Sequence, residues 1–307
     1  MPEAGQQHRH AVERSGPGFF VTRAVWKDAR GGLKRWESRR ARKASPRLNP
    51  HMQGTPAGSF WHPGAMSWWI GVLFMIGSAC FAVPSVSAAA AAMGAEAAAI
   101  TYFVGSIFFT SAGYLQFFES VNAAREAAWA GADHTRTVQK AASRPGRPRL
   151  VPFGWQPRHI DYWATMIQFI GTLYFNATTF HALDLSLQGS QYDTAVWRAD
   201  AWGSLCFLIA SYLAWAEVCH SFWRLRGSGV GWWIAALNMI GSIAFGVSAV
   251  GAYEAVPGQY LYPTLAQMGT LVGAVCFFIG AALLLPEAGR EEVSPAVAPV
   301  AAGDATS

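Results

Sequence analysis

Three glutamates end corresponding apolar segments, where carboxylates could bind cations or transfer protons. Glu119, Glu217 and Glu287 each complete the pattern Gly, three residues, Phe, five residues, Leu, three residues, Glu. Rings of acidic side chains can select cations, and acids within a membrane can relay protons. One interpretation is therefore that the three carboxylates lie near one another as a site for cations or protons.

A structural interpretation of the same glutamates rests on three tryptophans. Trp69, Trp163 and Trp233 each begin the pattern Trp, six residues, Ile-Gly-(Ser/Thr), two residues, Phe. If each pair of patterns forms a helical hairpin, its Trp and Glu lie at the same depth. An indole N–H is a donor only, and a helix N-terminus offers free N–H groups and the positive end of its dipole. We therefore favour the hypothesis that each glutamate clamps its own hairpin, and the ion-handling interpretation remains open.

The elements that position these residues recur three times along the chain. The spacing from Trp to Glu is 50, 54 and 54 residues, which indicates a triplicated unit. Small residues allow helices to approach closely in a membrane. The recurrent glycines therefore predict a packing face in each unit: Gly77, Gly105, Gly171, Gly203, Gly241 and Gly273.

The composition is typical of a membrane protein. The chain has 52% hydrophobic and 13% charged residues, against about 25% charged residues in soluble domains. Because a helical span needs about 20 mostly apolar residues, we predict an all-α polytopic membrane protein with six transmembrane helices as three repeated hairpins. The predicted spans are residues 68–86, 98–118, 162–183, 201–220, 230–251 and 265–285.

These spans divide the chain into six regions. They are a basic, largely disordered arm (1–65), hairpin 1 (66–120), a basic linker (121–159), hairpin 2 (160–220), hairpin 3 (230–288) and a disordered tail (289–307). The arm holds 12 Lys or Arg residues against four acids. The three loops at the opposite ends of the spans, residues 88–97, 184–200 and 252–264, together contain one basic residue, Arg198. Positive charge favours the cytoplasmic side, so both termini are expected there.

The arm contains one patterned segment and leaves several alternatives open. Apolar residues between Val21 and Trp36 fall near one helical stripe beside a basic one, so this amphipathic segment could lie on the membrane, with anionic lipid contact by residues 19–47. The basic run 39–43 could also contact nucleic acid, but lipid contact or plain solvation is favoured, and we expect no nucleic-acid partner. No signal peptide is recognisable, and Met66 offers an alternative start that would remove the arm.

The remaining polar residues give little support for catalysis. A membrane enzyme would need a polar cluster at one depth, and only Asn176, His181 and Asp184 come close to one. No nucleophile elbow, metal-binding motif, P-loop or dinucleotide fingerprint occurs. We therefore predict a non-enzymatic scaffold or subunit without cofactor or metal, and a small cation or proton transporter is the alternative. The expected partner is the lipid bilayer, and the residues identify no protein partner.

The hairpin pattern resembles the YrhK-like domain, a two-helix membrane module of bacteria. The resembling residues are Ile76-Gly77-Ser78 with Phe81, then Val104-Gly105-Ser106, Phe108-Phe109 and Tyr114-Leu115-Gln116. The later units depart from it, since Thr172 replaces the first Ser and Ala274 replaces Ser106. The resemblance implies a bacterial plasma membrane and no established activity, and it identifies no catalytic residue.

Overall fold

The computed structural model describes residues 11–27, 33–50, 59–136, 148–225 and 227–290, and they are mostly helical. The amino-terminal elements are strands β1 (Ala11–Ser15), β2 (Arg23–Lys27) and β3 (Leu33–Glu37), and helices α1 (Ser38–Lys43), α2 (Met66–Ala82), α3 (Ser87–Met93) and α4 (Ala95–Arg136). Then follow α5 (Ile160–His181), α6 (Ser190–Tyr192), a π-helical turn (Asp193–Trp197), α7 (Arg198–Cys219), α8 (Val230–Gly251), β4 (Glu254–Val256), β5 (Gln259–Tyr260) and α9 (Pro263–Arg290).

The long helices pack in chain order and close into a ring. Contacts join α2 to α4, α4 to α5, α5 to α7, α7 to α8 and α8 to α9, and α9 packs back against α2. Each of these helices also exposes large apolar side chains near its middle, which is the pattern expected of a lipid-facing surface. They include Ile76, Ile107, Ile170, Leu205, Ile243 and Val275.

Four of the described helical segments are long and apolar enough to cross a membrane. They are Ala95–Ala127, Ser190–Cys219, Val230–Gly251 and Pro263–Glu287. The pair α2 and α3 makes a fifth candidate, although the two helices are bent by 82° at their junction. The expectation of several apolar helices is therefore confirmed. Of the six predicted spans, α5 is long enough but not apolar enough to qualify, since it carries Gln168, Asn176 and several threonines.

The polar side chains of α5 are used in contacts with α4. Ser106 donates to Asn176 Oδ1 at 2.7 Å, and the Asn176 amide donates to Thr110. Thr179 donates to Ser106 Oγ at 2.8 Å. Such bonds join helices without exposing polar groups to lipid, which explains why α5 is less apolar than its neighbours.

The six recurrent glycines lie at close contacts between neighbouring helices. A Cβ on Gly77 would be 3.0 Å from the carbonyl oxygen of Gly105, and one on Gly105 would be 3.1 Å from that of Gly77. The equivalent contacts join Gly203 to Gly171 and Gly241 to Gly273. A side chain at these positions would push on the facing backbone or ring, and glycine avoids this contact.

Six buried phenylalanine rings fill the centre of the bundle. They are the Phe residues of the two recurrent patterns: Phe81, Phe109, Phe175, Phe207, Phe245 and Phe277. Their neighbouring ring centroids are 5.1–6.4 Å apart. The first, third and fifth form one triangle and the others form a second. The two triangles form an aromatic core between the ends of the bundle.

The described part of the arm is folded, which corrects the prediction of a largely disordered arm. Strands β1, β2 and β3 form an antiparallel sheet in that order, so the helical stripe expected between Val21 and Trp36 is wrong for residues 23–27 and 33–36. The apolar residues of this stripe match a helical spacing only approximately. Gly31 and Gly32, which disfavour a helix, lie in the sequence between strands β2 and β3.

Strands β4 and β5 add a hairpin between α8 and α9, so the fold is not entirely helical. Helix α4 also continues through Arg136, beyond the predicted start of the linker at residue 121. Residues 137–147, most of the predicted tail and the rest of the arm lie outside the described residues.

Candidate functional site

The short helix α1 of the arm lies across one end of the bundle. We call this the carboxylate end, because Glu119, Glu217 and Glu287 all lie there. Arg39, Arg42 and Lys43 occupy positions i, i+3 and i+4 of α1, so their side chains project from one face. Each of them meets one of the three glutamates.

The three contacts are ion pairs. The Arg39 guanidinium donates twice to Glu287, from Nε at 3.1 Å and from Nη2 at 2.9 Å. Lys43 Nζ donates to Glu119 Oε2 at 2.8 Å. Arg42 Nη2 lies 3.4 Å from Glu217 Oε2. One helical turn of the arm therefore contacts carboxylates of α4, α7 and α9.

Asp161 is a fourth carboxylate at this site. Its Oδ2 lies 2.6 Å from Arg42 Nη1, and both side chains are less than a tenth exposed. Asp161 belongs to the first turn of α5, so Arg42 joins the start of α5 to the end of α7.

Neutral donors occupy other oxygens of the glutamates. Ser38 Oγ donates to Glu217 Oε1, and Asn49 Nδ2 donates to Glu119 Oε1, each at 2.8 Å. The Asn49 Oδ1 in turn accepts the backbone N–H of Ser67 at 2.9 Å, in the first turn of α2. The arm thus also binds the beginning of α2.

These charges are removed from water. Glu119 and Glu217 are 0% and 2% exposed, and Lys43 and Arg42 are both 7% exposed. Burial alone would lower the pKa of Arg42, but Glu217, Asp161 and Glu119 more than offset it, so its pKa is raised. Arg39 behaves in the same way, with Glu287 opposing the effect of burial. Both guanidinium groups therefore remain charged at any physiological pH.

The sheet is attached to the bundle beside α1. Thr22 Oγ1 and His220 Nδ1 are 2.8 Å apart, and His220 Nε2 lies 3.8 Å from Glu37 Oε1. His220 has a left-handed backbone conformation, with φ of 53°, where α7 ends. The pKa of Glu37 is lowered to about 2 by the neighbouring His220 imidazole, against the opposing effect of burial, with help from Arg35 and Arg40.

Two of the three tryptophans of the sequence pattern bond to the backbone and not to the glutamates. The indole N–H of Trp69 donates to the Pro63 carbonyl at 2.9 Å, and that of Trp163 donates to the Pro157 carbonyl at 3.0 Å. Trp233 is 58% exposed. The groups that bind the carboxylates belong to the arm, so the structure does not bring each Trp and Glu together as the clamp hypothesis expected.

The other sequence candidates are not assembled into a site. Asp184 Oδ1 accepts hydrogen bonds from the backbone and side chain of Ser186, and Asn176 bonds to α4. Within the described residues, no group of three or more His, Cys, Asp or Glu side chains could hold a metal ion.

The residues that sequence reasoning missed are Arg39, Arg42, Lys43 and Asp161. A signal for the cations was present, since three basic residues at helical spacing equal the glutamates in number. They belong to a run that resembles an ordinary basic patch, and nothing local in the sequence indicates its partners.

No protein-family model, curated protein or solved structure matches this chain. The resemblance to the YrhK-like domain therefore has no support beyond the residues quoted above.

Proposed function

We propose that this chain is a six-span, non-enzymatic membrane protein. It would be a scaffold or subunit of three hairpins whose arm binds and stabilises the carboxylate end of the bundle. The observation that carries the proposal is the binding of all three glutamates by the arm cations Arg39, Arg42 and Lys43. A carboxylate already bound by a buried cation is not free to receive a transported ion. The aromatic core also occupies the middle of the bundle, which favours a structural role.

The sixth span of this proposal is α5. Its polar side chains Asn176 and Thr179 bond to α4, whereas Ile170 and Leu173 are 39% and 47% exposed. An apolar outer face with internally satisfied polar groups suits a helix surrounded by other spans.

The proposed orientation places the carboxylate end in the cytoplasm of a bacterium. The basic arm lies at this end, and Arg158 and Arg224 belong to segments next to the termini of α5 and α7 there. At the opposite end, Arg198 is paired with Asp193 at 2.9 Å. This asymmetry agrees with the rule that positive charge favours the cytoplasmic side. A reporter fused to each terminus in a bacterial host would test the orientation.

Cation or proton transport is the second candidate, and one observation favours it. Within the described residues, four largely buried carboxylates contact three arm cations, so one negative charge remains unbalanced among Glu119, Glu217, Glu287, Asp161 and these partners. Transport would require α1 to leave the carboxylate end and the aromatic core to open.

Reconstitution into liposomes separates the two functions. We expect the full chain to conduct neither protons nor alkali cations, and a Glu119→Gln, Glu217→Gln, Glu287→Gln variant to lose thermal stability without a change in flux. Flux through the full chain that the triple variant abolishes would overturn the structural proposal.

An arm variant tests the second candidate directly. Arg39→Gln, Arg42→Gln and Lys43→Gln in the full chain remove the cations and leave the glutamates in place. Under the transport hypothesis this variant should conduct, and adding the three Glu→Gln changes should stop the flux. Under the structural proposal both variants remain closed and differ only in stability.

A further inference from the structure

A cleft lined by three arginines lies beside the carboxylate end. Arg47 of the arm, Arg125 of α4 and Arg149 before α5 line it, together with Glu126. The cleft is partly open to solvent, and its enclosed part is far smaller than the range of about 300–1,000 Å³ that is usual for small-molecule sites. The cleft is thus suited to a small group and not to a whole organic cofactor.

The walls of this cleft are held by hydrogen bonds. Asn122 Nδ2 donates to the Val151 carbonyl and Asn122 Oδ1 accepts the Val151 N–H, both at 2.9 Å. Arg47 Nη1 donates to the Pro148 carbonyl at 2.7 Å. The segment that carries Arg149 is thereby fixed to both α4 and the arm, so the site is organised before any ligand binds.

The charge of the cleft favours an anion. Three guanidinium groups face one carboxylate, Glu126, which accepts a hydrogen bond from Ser45. The Nε of Arg125 is buried and has no hydrogen-bond partner among the described residues. A buried donor without a partner needs an explanation, and an acceptor bound in the cleft supplies one.

The cleft lies at the depth of lipid headgroups if α4 spans a membrane. The apolar segment Ala95–Ala127 has 33 residues, a length of about 50 Å, and a hydrocarbon core is only about 30 Å thick. Arg125 near its end therefore extends beyond the core. Phe153 and Trp155, just past the cleft, are 63% and 69% exposed, as expected of aromatic side chains at a membrane interface.

We propose that this cleft binds a phosphate group, either in the headgroup of an anionic phospholipid or as free phosphate. Guanidinium groups bind phosphate oxygens through paired, charge-assisted hydrogen bonds. Arg125 supplies the buried donor, Arg149 is exposed and reaches the group from the loop, and Arg47 adds the third positive charge. The site does not depend on whether the bundle is a scaffold or a transporter.

The test compares an Arg125→Gln, Arg149→Gln variant of the full chain with the unaltered protein. Native mass spectrometry after release from nanodiscs measures retention of phosphatidylglycerol against phosphatidylcholine. Thermal unfolding in detergent with inorganic phosphate, against chloride at equal ionic strength, measures free phosphate. We expect the variant to bind the occupant about tenfold more weakly for each arginine removed. If the variant loses binding of phosphatidylglycerol alone, the occupant is the lipid headgroup. If it also loses binding of inorganic phosphate, the occupant is free phosphate.

The matched control is Arg14→Gln with Arg224→Gln, which removes the same charge from two exposed residues. If this control variant binds the occupant as weakly as the cleft variant does, the effect is one of net charge and the proposed site is wrong. Equal binding by the cleft variant and the unaltered protein would overturn it as well. Arg149→Gln alone changes only an exposed loop residue, so it preserves the test if the Arg125 change impairs folding.

Discussion

Lys43 Nζ lies 2.8 Å from Glu119 Oε2, and this pair joins the arm to α4 across 76 residues of sequence. The two side chains are 7% and 0% exposed. Removal of one partner from a buried pair leaves a charge without compensation, which is far more unfavourable than removing both. The arm is therefore an integral part of this end of the bundle.

The Lys43–Glu119 pair can be tested by a double-mutant cycle. Lys43→Met should lower the free energy of unfolding by about 3–5 kcal/mol, because Glu119 would remain buried with Asn49 as its one remaining donor among the described residues. Adding Glu119→Gln should recover part of this loss, since no unpaired charge remains. Chemical unfolding in detergent measures all four corners of the cycle. Additive single effects would contradict a direct pair.

Arg42 should be the most sensitive residue of α1. Arg42→Gln leaves both Glu217 and Asp161 without their cation, so we expect a loss of at least about 3–5 kcal/mol. Arg40→Gln is the control, since Arg40 is 71% exposed and should change stability by less than about 1 kcal/mol. Thermal unfolding of the two variants compares them. Similar losses would mean that α1 does not hold the bundle through Arg42.

Much of the bundle could be predicted from sequence because its determinants are periodic. The apolar segments identify the long helices, and the recurrent glycines lie at the close contacts between them. The recurrent phenylalanines also mark the core, although a spacing pattern does not show that rings from separate helices meet.

The arm could not be predicted because its structure depends on distant partners. Its contacts with Glu217 and Glu287 join residues 175 or more positions apart. A stripe of basic residues also suits lipid contact, solvation or ion pairing equally well. Trp69 and Trp163 satisfy their indoles with carbonyls six residues earlier, so depth alone did not identify their partners.

The close contact at Gly105 predicts that a Gly→Ala change there destabilises the protein, whereas the same change at an open position does not. A Cβ there would lie 2.8 Å from Cys80 Cβ and 2.9 Å from the Phe81 ring. Gly105→Ala should therefore separate α2 from α4 and destabilise the protein by about 1–3 kcal/mol. Gly246→Ala is the control, because nothing lies within 4 Å of its new Cβ. That change should be neutral or stabilising in thermal unfolding, and an equal loss at both sites would contradict the packing argument.

The aromatic core should tolerate truncation poorly. Phe207 is 2% exposed and contacts the rings of Phe109, Phe175 and Phe277. Phe207→Ala should lower the free energy of unfolding by about 3–5 kcal/mol through the cavity it leaves. Phe180→Ala removes a ring that is 56% exposed, so its loss should be clearly smaller. Comparable losses would indicate that the rings do not form a packed core.

Acid should weaken the attachment of the sheet through Glu37. Its pKa falls from 4.5 to about 2 in the folded protein because the His220 imidazole lies beside it and Arg35 and Arg40 are close, while burial opposes the shift. A lowered carboxyl pKa stabilises the folded state above the unfolded value, and this contribution is lost as the pH falls toward the folded value. Glu37→Gln should therefore unfold at lower temperature than the unaltered chain at neutral pH. The difference should shrink from about pH 4.5 downward and vanish near about pH 2. Glu13→Gln changes an exposed glutamate of β1 and serves as the control. A Glu37→Gln difference that stays constant down to that acid limit would show that its charge does not hold the sheet.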